Sequence, residues 1–330
     1  MKKEYAAVCL GEVLVDIVSR TDESGTRAQM EGNPGGAPAN VMAMMRRLGY
    51  PTAVIGKVGS DSFGQMVKQA ISQAGVDCSG ILTDALHPTT LAMVSLNAQG
   101  NRSFHFYRSE TADIMLSPEE VRTDLIDRAE IFVFGSVTLS AQPVRSATFA
   151  AAEYARAHGV TVAYDPNLRR PLWKSADQAR EMLCRGMEYA DLAKVSDEEL
   201  FFLMGDGAPE ERALALLRRY SLRLLAVTMG ADGCLLAMGN RTWRARTFDT
   251  PVRDTTGAGD AFWGAMLACF LRLSKPAEQL EDREIRAMLD FCNAAGSLTC
   301  TKYGAIPALP TEEEIQACMQ TVPYLSPKRS

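Results

Sequence analysis

The chain alternates between short apolar runs and longer amphipathic stretches. Runs at 53–58, 131–134, 160–164, 192–195 and 224–228 are built mainly from Val, Ile, Leu, Phe and Ala. They are too short for helices and read as strands buried on both faces. Between them, segments near 62–74, 142–157, 177–188 and 209–220 carry apolar residues at helical spacing. Strands alternating with helices predict a mostly parallel sheet covered on both sides, the doubly wound, Rossmann-like αβα class of α/β fold.

Two stretches break this rhythm. From 12 to 20 the residues alternate, with Val13, Val15 and Ile17 on one face and Leu14, Asp16 and Val18 on the other. Runs at 91–96 and 103–107 flank a turn-like Asn97-Ala98-Gln99-Gly100. With no helices between them, these strands predict a small antiparallel sheet beside the main sheet. A single domain over 1–330, with a β-sheet lid at roughly 12–34 and 89–110, is the expected organisation. A plain edge extension of the main sheet is the alternative.

Composition narrows the class. The chain has 330 residues, 47% hydrophobic and 23% charged, and a formal charge of −5 from 35 basic and 40 acidic side chains. That is globular, and no stretch concentrates positive charge for nucleic acid or an anionic membrane. Charged residues interrupt each apolar run before it nears the ~18 residues that span a bilayer. The opening run is followed by Glu12 and Asp16, unlike a secretion signal, so a cytoplasmic location is expected. Eight cysteines without a CxxC pair and three distant histidines argue for reduced thiols rather than zinc or disulfides.

The stretch Asp254-Thr255-Thr256-Gly257-Ala258-Gly259-Asp260 precedes a segment to Leu271 that is apolar on every side and should be a buried helix. Asp260 is its single charge from Gly257 to Leu271. A carboxylate on a buried helix is costly unless paired or solvated, so this one is a candidate for chemistry. Gly257, Ala258 and Gly259 would supply a first turn whose free amides and dipole seat an anion. Asp260, just beyond, can take a proton from an attacking hydroxyl while those amides steady a transferring phosphoryl group. An ordinary glycine-rich helix start, with Asp favouring the dipole, is the alternative.

A second glycine cluster, Gly32-Asn33-Pro34-Gly35-Gly36-Ala37-Pro38-Ala39-Asn40, opens a helix that should run to Leu48. Asn40 in its first turn can donate and accept toward a polyol, and Asp16 can accept adjacent hydroxyl protons. Three more segments end strands where α/β ligands bind: Asp165-Pro166-Asn167-Leu168-Arg169, Lys194 to Glu199, and Thr228 to Gly233. Thr228, Gly230 and Gly233 suit a tight turn against a nucleotide, and Asn167, Lys194 and Ser196 fall in the same nucleotide-facing segments. Arg169 can bind phosphate bidentately, and Glu199 can act on Mg²⁺ through water. Taken singly, each reads equally well as a cap, a turn or a surface pair. No P-loop, GxGxxG, HExxH or GxSxG motif is present.

Gly35-Gly36 with Asn40, and Asp254 to Asp260 about 220 residues later, together resemble the two signatures of the ribokinase-like (PfkB) carbohydrate kinases. The resemblance covers nearly the whole chain. It implies a Rossmann-like domain that takes ATP, a β lid that closes over a sugar and forms a homodimer contact, and Asp260 as catalytic base. It also implies Asp16 on the sugar, Asn293 near adenine and a K⁺ loop at Asp254, Thr256 and Gly304. Within the family, Gly35 to Val41, Phe106-Tyr107-Arg108 with Ala112-Asp113, and Asp165 to Arg169 before Leu172-Trp173 look like those of fructokinases. Tyr107 and Arg108 are thereby expected on the substrate, which would be D-fructose converted to its 6-phosphate. Keto-deoxygluconate and riboside kinases share some of these elements, and a silent sugar-binding regulator is the non-enzymatic rival. Ser196 stands where many relatives have Asn ahead of the glutamate, which weakens direct metal ligation by Glu199.

Overall fold

The structure is a computed structural model that describes residues 3–21, 27–96, 102–273 and 279–326. In chain order the strands are β1 (Tyr5–Leu10), β2 (Leu14–Thr21), β3 (Ala28–Gly35), β4 (Thr52–Gly59), β5 (Asp77–Asp84), β6 (Leu91–Leu96), β7 (Arg102–Tyr107), β8 (Ala129–Gly135), β9 (Thr161–Asp165), β10 (Leu192–Ser196), β11 (Leu224–Thr228), β12 (Cys234–Met238) and β13 (Arg241–Ala245). The helices are α1 (Ala37–Arg47), α2 (Ser62–Gln73), α3 (Thr123–Asp127), α4 (Val144–Ala157), α5 (Ala176–Met187), α6 (Asp197–Met204), α7 (Pro209–Tyr220), α8 (Ala258–Arg272), α9 (Asp282–Thr299) and α10 (Glu312–Thr321).

The main sheet runs β13-β12-β11-β10-β9-β8-β1-β4-β5, parallel from β5 to β11 and antiparallel at β11–β12 and β12–β13. Its strands feed both faces with period two. In β1, Ala7 and Cys9 join a core with α1, α2, α8, α9 and α10, while Val8 and Leu10 join one with α3 to α7. Ile131 and Val133 against Phe132 and Phe134 repeat the division in β8. Such strands have no solvent face, so they lack the alternation of a half-exposed sheet. The doubly wound αβα class expected from the sequence is the one found.

The small sheet runs β3-β2-β6-β7. It differs from the expectation in one respect: β2 pairs with β6 in parallel, and only β2–β3 and β6–β7 are antiparallel. The reason is the route of the chain, which passes through α1, β4, α2 and β5 between the two hairpins and so re-enters from the same end. The turn expected at 97–100 lies outside the described residues. Val13, Val15 and Ile17 are buried, whereas Leu14, Asp16 and Val18 face a cavity, as the alternation requires.

Candidate functional site

Helix α8 begins where the chain turns sharply. Gly257 stands at its N-cap with φ +79°, and a Cβ there would come within 2.8 Å of Ala305 Cβ, so conformation and space both call for glycine. Gly257 therefore precedes the first turn rather than lying in it, and Ala258, Gly259 and Asp260 are the first three helical residues. The Ala258 N–H donates to Thr255 O at 3.3 Å, while those of Gly257, Gly259 and Asp260 meet no acceptor among the described residues. Three such amides at the positive end of a helix have the geometry that favours an anion.

Asp260 is only 9% exposed and accepts a hydrogen bond from Asn40 Nδ2 at 2.8 Å. Burial pushes its carboxyl above the usual carboxylate range, against the pull of the Lys194 ammonium and the Asn40 amide. Lys194 lies beneath the helix start, where a Cβ on Gly259 would be 3.3 Å from Nζ, and it donates to Asp165 Oδ2 at 2.6 Å. Burial would lower the Lys194 pKa, but the carboxylates of Asp165, Glu199 and Asp260 outweigh it and hold the ammonium charged.

The small sheet supplies a second wall. Asn33, Asp16, Ala92 and Phe106 pair in register across β3, β2, β6 and β7, and all four line one cavity of about 640 Å³. A Cβ on Gly35 would collide with Asp16 Oδ2, so glycine there leaves the carboxylate its place. A Cβ on Gly36, which sits at φ +122°, would collide with the Glu12 carbonyl oxygen, so a side chain has no room there. Burial pushes Asp16 up to about 6, with Arg169 opposing and Asp260 and Asp254 reinforcing. Asn40, Asn167, Arg169, Lys194, Gly257, Gly259, Asp260 and the loop of Asp254, Thr256 and Gly304 line the same cavity. Asp254 ties that loop together: Oδ1 accepts from the Thr256 amide and hydroxyl at 3.0 and 2.7 Å, and Oδ2 from the Gly304 amide at 3.1 Å.

Other expected residues stand elsewhere. Tyr107 is 64% exposed and does not line the cavity, because β7 turns the preceding Phe106 inward. Arg108 does not line it either. Its Nε and Nη1 donate to Asp113 Oδ2 and Ser140 Oγ, each at 2.7 Å, in a buried pair completed by hydroxyls of Thr90 and Thr111. Asn293 donates through Nδ2 to the carbonyls of Ala245 and Arg246 at the end of β13 and does not line this cavity. Ser196 and Glu199 form a capping box at the start of α6, and the second Glu199 oxygen accepts the Leu168 amide at 2.6 Å. Burial raises Glu199, with Asp165 adding to the effect. Thr228 ends β11, and the turn after it closes through Met229 N–H to Gly233 O at 2.8 Å, with Gly230 and Gly233 at positive φ. Sequence reasoning gave no role to Asn33, Phe106, Glu12 or Asp165. Alternation along β7 would have found Phe106.

A family model described as pfkB family carbohydrate kinase matches residues 6–312. A relative named probable fructokinase-4 from Arabidopsis thaliana is 42% identical, over 95% of this chain and 96% of its own. The crystal structure of fructokinase with bound ATP from Xylella fastidiosa superposes with a TM-score of 0.87 at 31% identity, covering 96% of this chain and 98% of that one. A double mutant of fructokinase from Vibrio cholerae O395, in fructose, ADP and potassium ion bound form, gives 0.84 at 32% identity, over 97% and 100% of the two chains.

Proposed function

We propose that this chain, which belongs to the pfkB family of carbohydrate kinases and is an ATP-dependent sugar kinase, phosphorylates the terminal hydroxyl of D-fructose to give D-fructose 6-phosphate. The observation that carries the mechanism is Asp260, held by Asn40 beside the open amides of α8 and in one cavity with the Asp16 row. The sugar binds along Asn33, Asp16 and Phe106, with Asp16 accepting hydroxyl protons. Asn40 occupies Asp260 Oδ2, which leaves Oδ1 to take the proton of the attacking hydroxyl. The raised pKa of Asp260 brings it nearer the operating pH and makes it a stronger base once ionised. The amides of Gly257, Gly259 and Asp260 receive the charge that develops on the phosphoryl oxygens, with Arg169 and Lys194 nearby. The small sheet acts as the lid that keeps water from the transfer.

ATP extends from this seat toward the turn at 228–233. Mg²⁺, when bound with the nucleotide, neutralises phosphate charge. Both Glu199 oxygens already accept backbone amides, so that residue fits a water-mediated position. The loops gathered by Asp254 fit a K⁺ site, in line with the potassium-bound Vibrio cholerae relative. Assembly as a homodimer through the small sheet, in the cytoplasm, belongs to the same reading, and sedimentation of the purified chain tests the dimer.

A panel of sugars with ATP tests the substrate. D-Fructose should give the highest kcat/KM, at least about 10-fold above keto-deoxygluconate and ribosides, as expected when hydroxyl contacts discriminate. A reversed order reassigns the sugar. Sugar binding without phosphorylation of any member makes the chain a silent binder.

A further inference from the structure

Behind the cavity, at the carboxyl ends of three adjacent strands, lie three polar side chains that the reaction above does not use. β1 and β8 pair through Leu10 and Phe134, and β8 and β9 through Gly135 and Asp165. Glu12, Ser136 and Asp165 follow or end these strands, and Ser136 is tied to the β9 side by its amide bond to Pro166 O at 3.0 Å. All three are buried, at 3%, 0% and 4% exposure. Glu12 Oε2, Ser136 Oγ and Asp165 Oδ1 have no hydrogen-bond partner among the described residues.

These residues line a small cavity of about 10 Å³, which shares Glu12 and Asn167 with the larger cavity and whose other walls include Pro38, Val41 and Phe134. That is roughly the space one water molecule needs, and a buried water requires two to four polar partners. Donors and acceptors also balance. Two carboxylate oxygens accept, a serine hydroxyl donates, and one water can give two hydrogen bonds and receive the third.

We propose that Glu12, Ser136 and Asp165 hold one internal water that braces the sugar side of the site against the nucleotide side, and that Glu12 is a positioning residue for phosphoryl transfer. Glu12 Oε1 accepts the amide of Ala37, the first residue of α1, at 3.0 Å. Three residues on, Asn40 orients Asp260. Asp165 Oδ2 holds Lys194 beneath Gly259. The water thus closes a ring from the glycine turn through α1, Asp260, α8 and Lys194 back to Glu12. Burial pushes Glu12 up to about 7, so the site also absorbs a carboxyl that sheds its proton with difficulty. The kinetic part of this inference rests on the assignment of Asp260 as base.

High-resolution diffraction from crystals of the full chain tests the water directly. An isolated peak about 2.6–3.1 Å from all three oxygens is expected. An empty site, or direct contact between the Glu12 and Asp165 carboxyls, overturns the inference whatever the enzyme's activity. Ser136→Ala should lower kcat by about 3- to 10-fold, the worth of one buried hydrogen bond, with both KM values within about twofold. An unchanged kcat overturns the positioning role. Should that variant fail to fold, Glu12→Gln and Glu12→Ala decide. The glutamine can accept from Ala37 and donate to the water, so it should recover at least about half of the alanine's loss in log kcat. Equal values for the two overturn the role. If the native chain phosphorylates no sugar at all, the kinase mechanism fails separately, and the diffraction result alone judges the water.

Discussion

On the wall formed by the start of α8, the side chains of Asp260, Lys194 and Glu199 are each held by another part of the chain. Asn40 holds Asp260, Asp165 holds Lys194, and Glu199 is held by the amides of Ser196 and Leu168. On the wall formed by the small sheet, Asp16 is buried enough to rise to about 6 yet has no hydrogen-bond partner among the described residues. The first wall is held by the protein's own contacts, as the proposed electrostatic stabilisation of a transition state there requires. The second leaves an acceptor unpaired at the position where a polyol can supply the missing donors. In the proposed mechanism, the unpaired group lies on the recognition side and the mutually held groups on the side where bonds change.

The largest effect expected separates the walls at the base. Asp260→Asn should lower kcat by roughly 10²–10⁴ while leaving the melting temperature unchanged or raised, since it removes a buried charge. Near-native turnover would remove Asp260 from its role. Asp16→Asn should act on recognition instead. A lost hydrogen bond to a charged acceptor should cut kcat/KM for the sugar about 10- to 100-fold and leave KM for ATP within about twofold. An equal rise in both KM values would show the walls are not independent.

Next comes the contrast along β7. Phe106→Ala should raise the sugar KM by about 5-fold through lost apolar contact, whereas Tyr107→Ala, on the exposed face, should change it by less than about twofold. The reverse order would shift the strand's register.

The smallest effect is one of pH. Asp16 binds its proton more tightly folded than unfolded, so its ionisation costs stability as pH rises from about 4, the unperturbed value, to about 6. Asp16→Asn should therefore gain melting temperature relative to the native chain across that window and hold the gain above it. Sugar KM of the native chain should rise as pH falls below about 6, and that of the variant should not. Parallel melting curves for the two proteins at every pH would place Asp16 in an ordinary solvated setting.

Much of this architecture is legible locally. Buried parallel strands such as β8 and β10 are apolar runs of strand length, and the buried helix declares itself by holding a single carboxylate among apolar residues. Asp16 follows from alternation, and Gly35-Gly36 from the cost of side chains in tight places. The rest depends on distant partners. β5 reads Asp-Cys-Ser-Gly-Ile-Leu-Thr-Asp and is an edge strand only because β4 lies beside it. Arg108 looks like a ligand residue until Thr90, Thr111 and Asp113 close around it. The convergence of Glu12, Ser136 and Asp165 exists only once three strands are side by side.

The bond between Asn40 and Asp260 joins positions 220 residues apart. Bringing such remote groups together is among the slow steps of chain organisation. With Asp260 as the proposed base, turnover should be a late reporter: after dilution from denaturant, its recovery is expected to lag behind recovery of helical signal. On that reading a kinase assay would count molecules that have finished refolding, and not merely those that have collapsed.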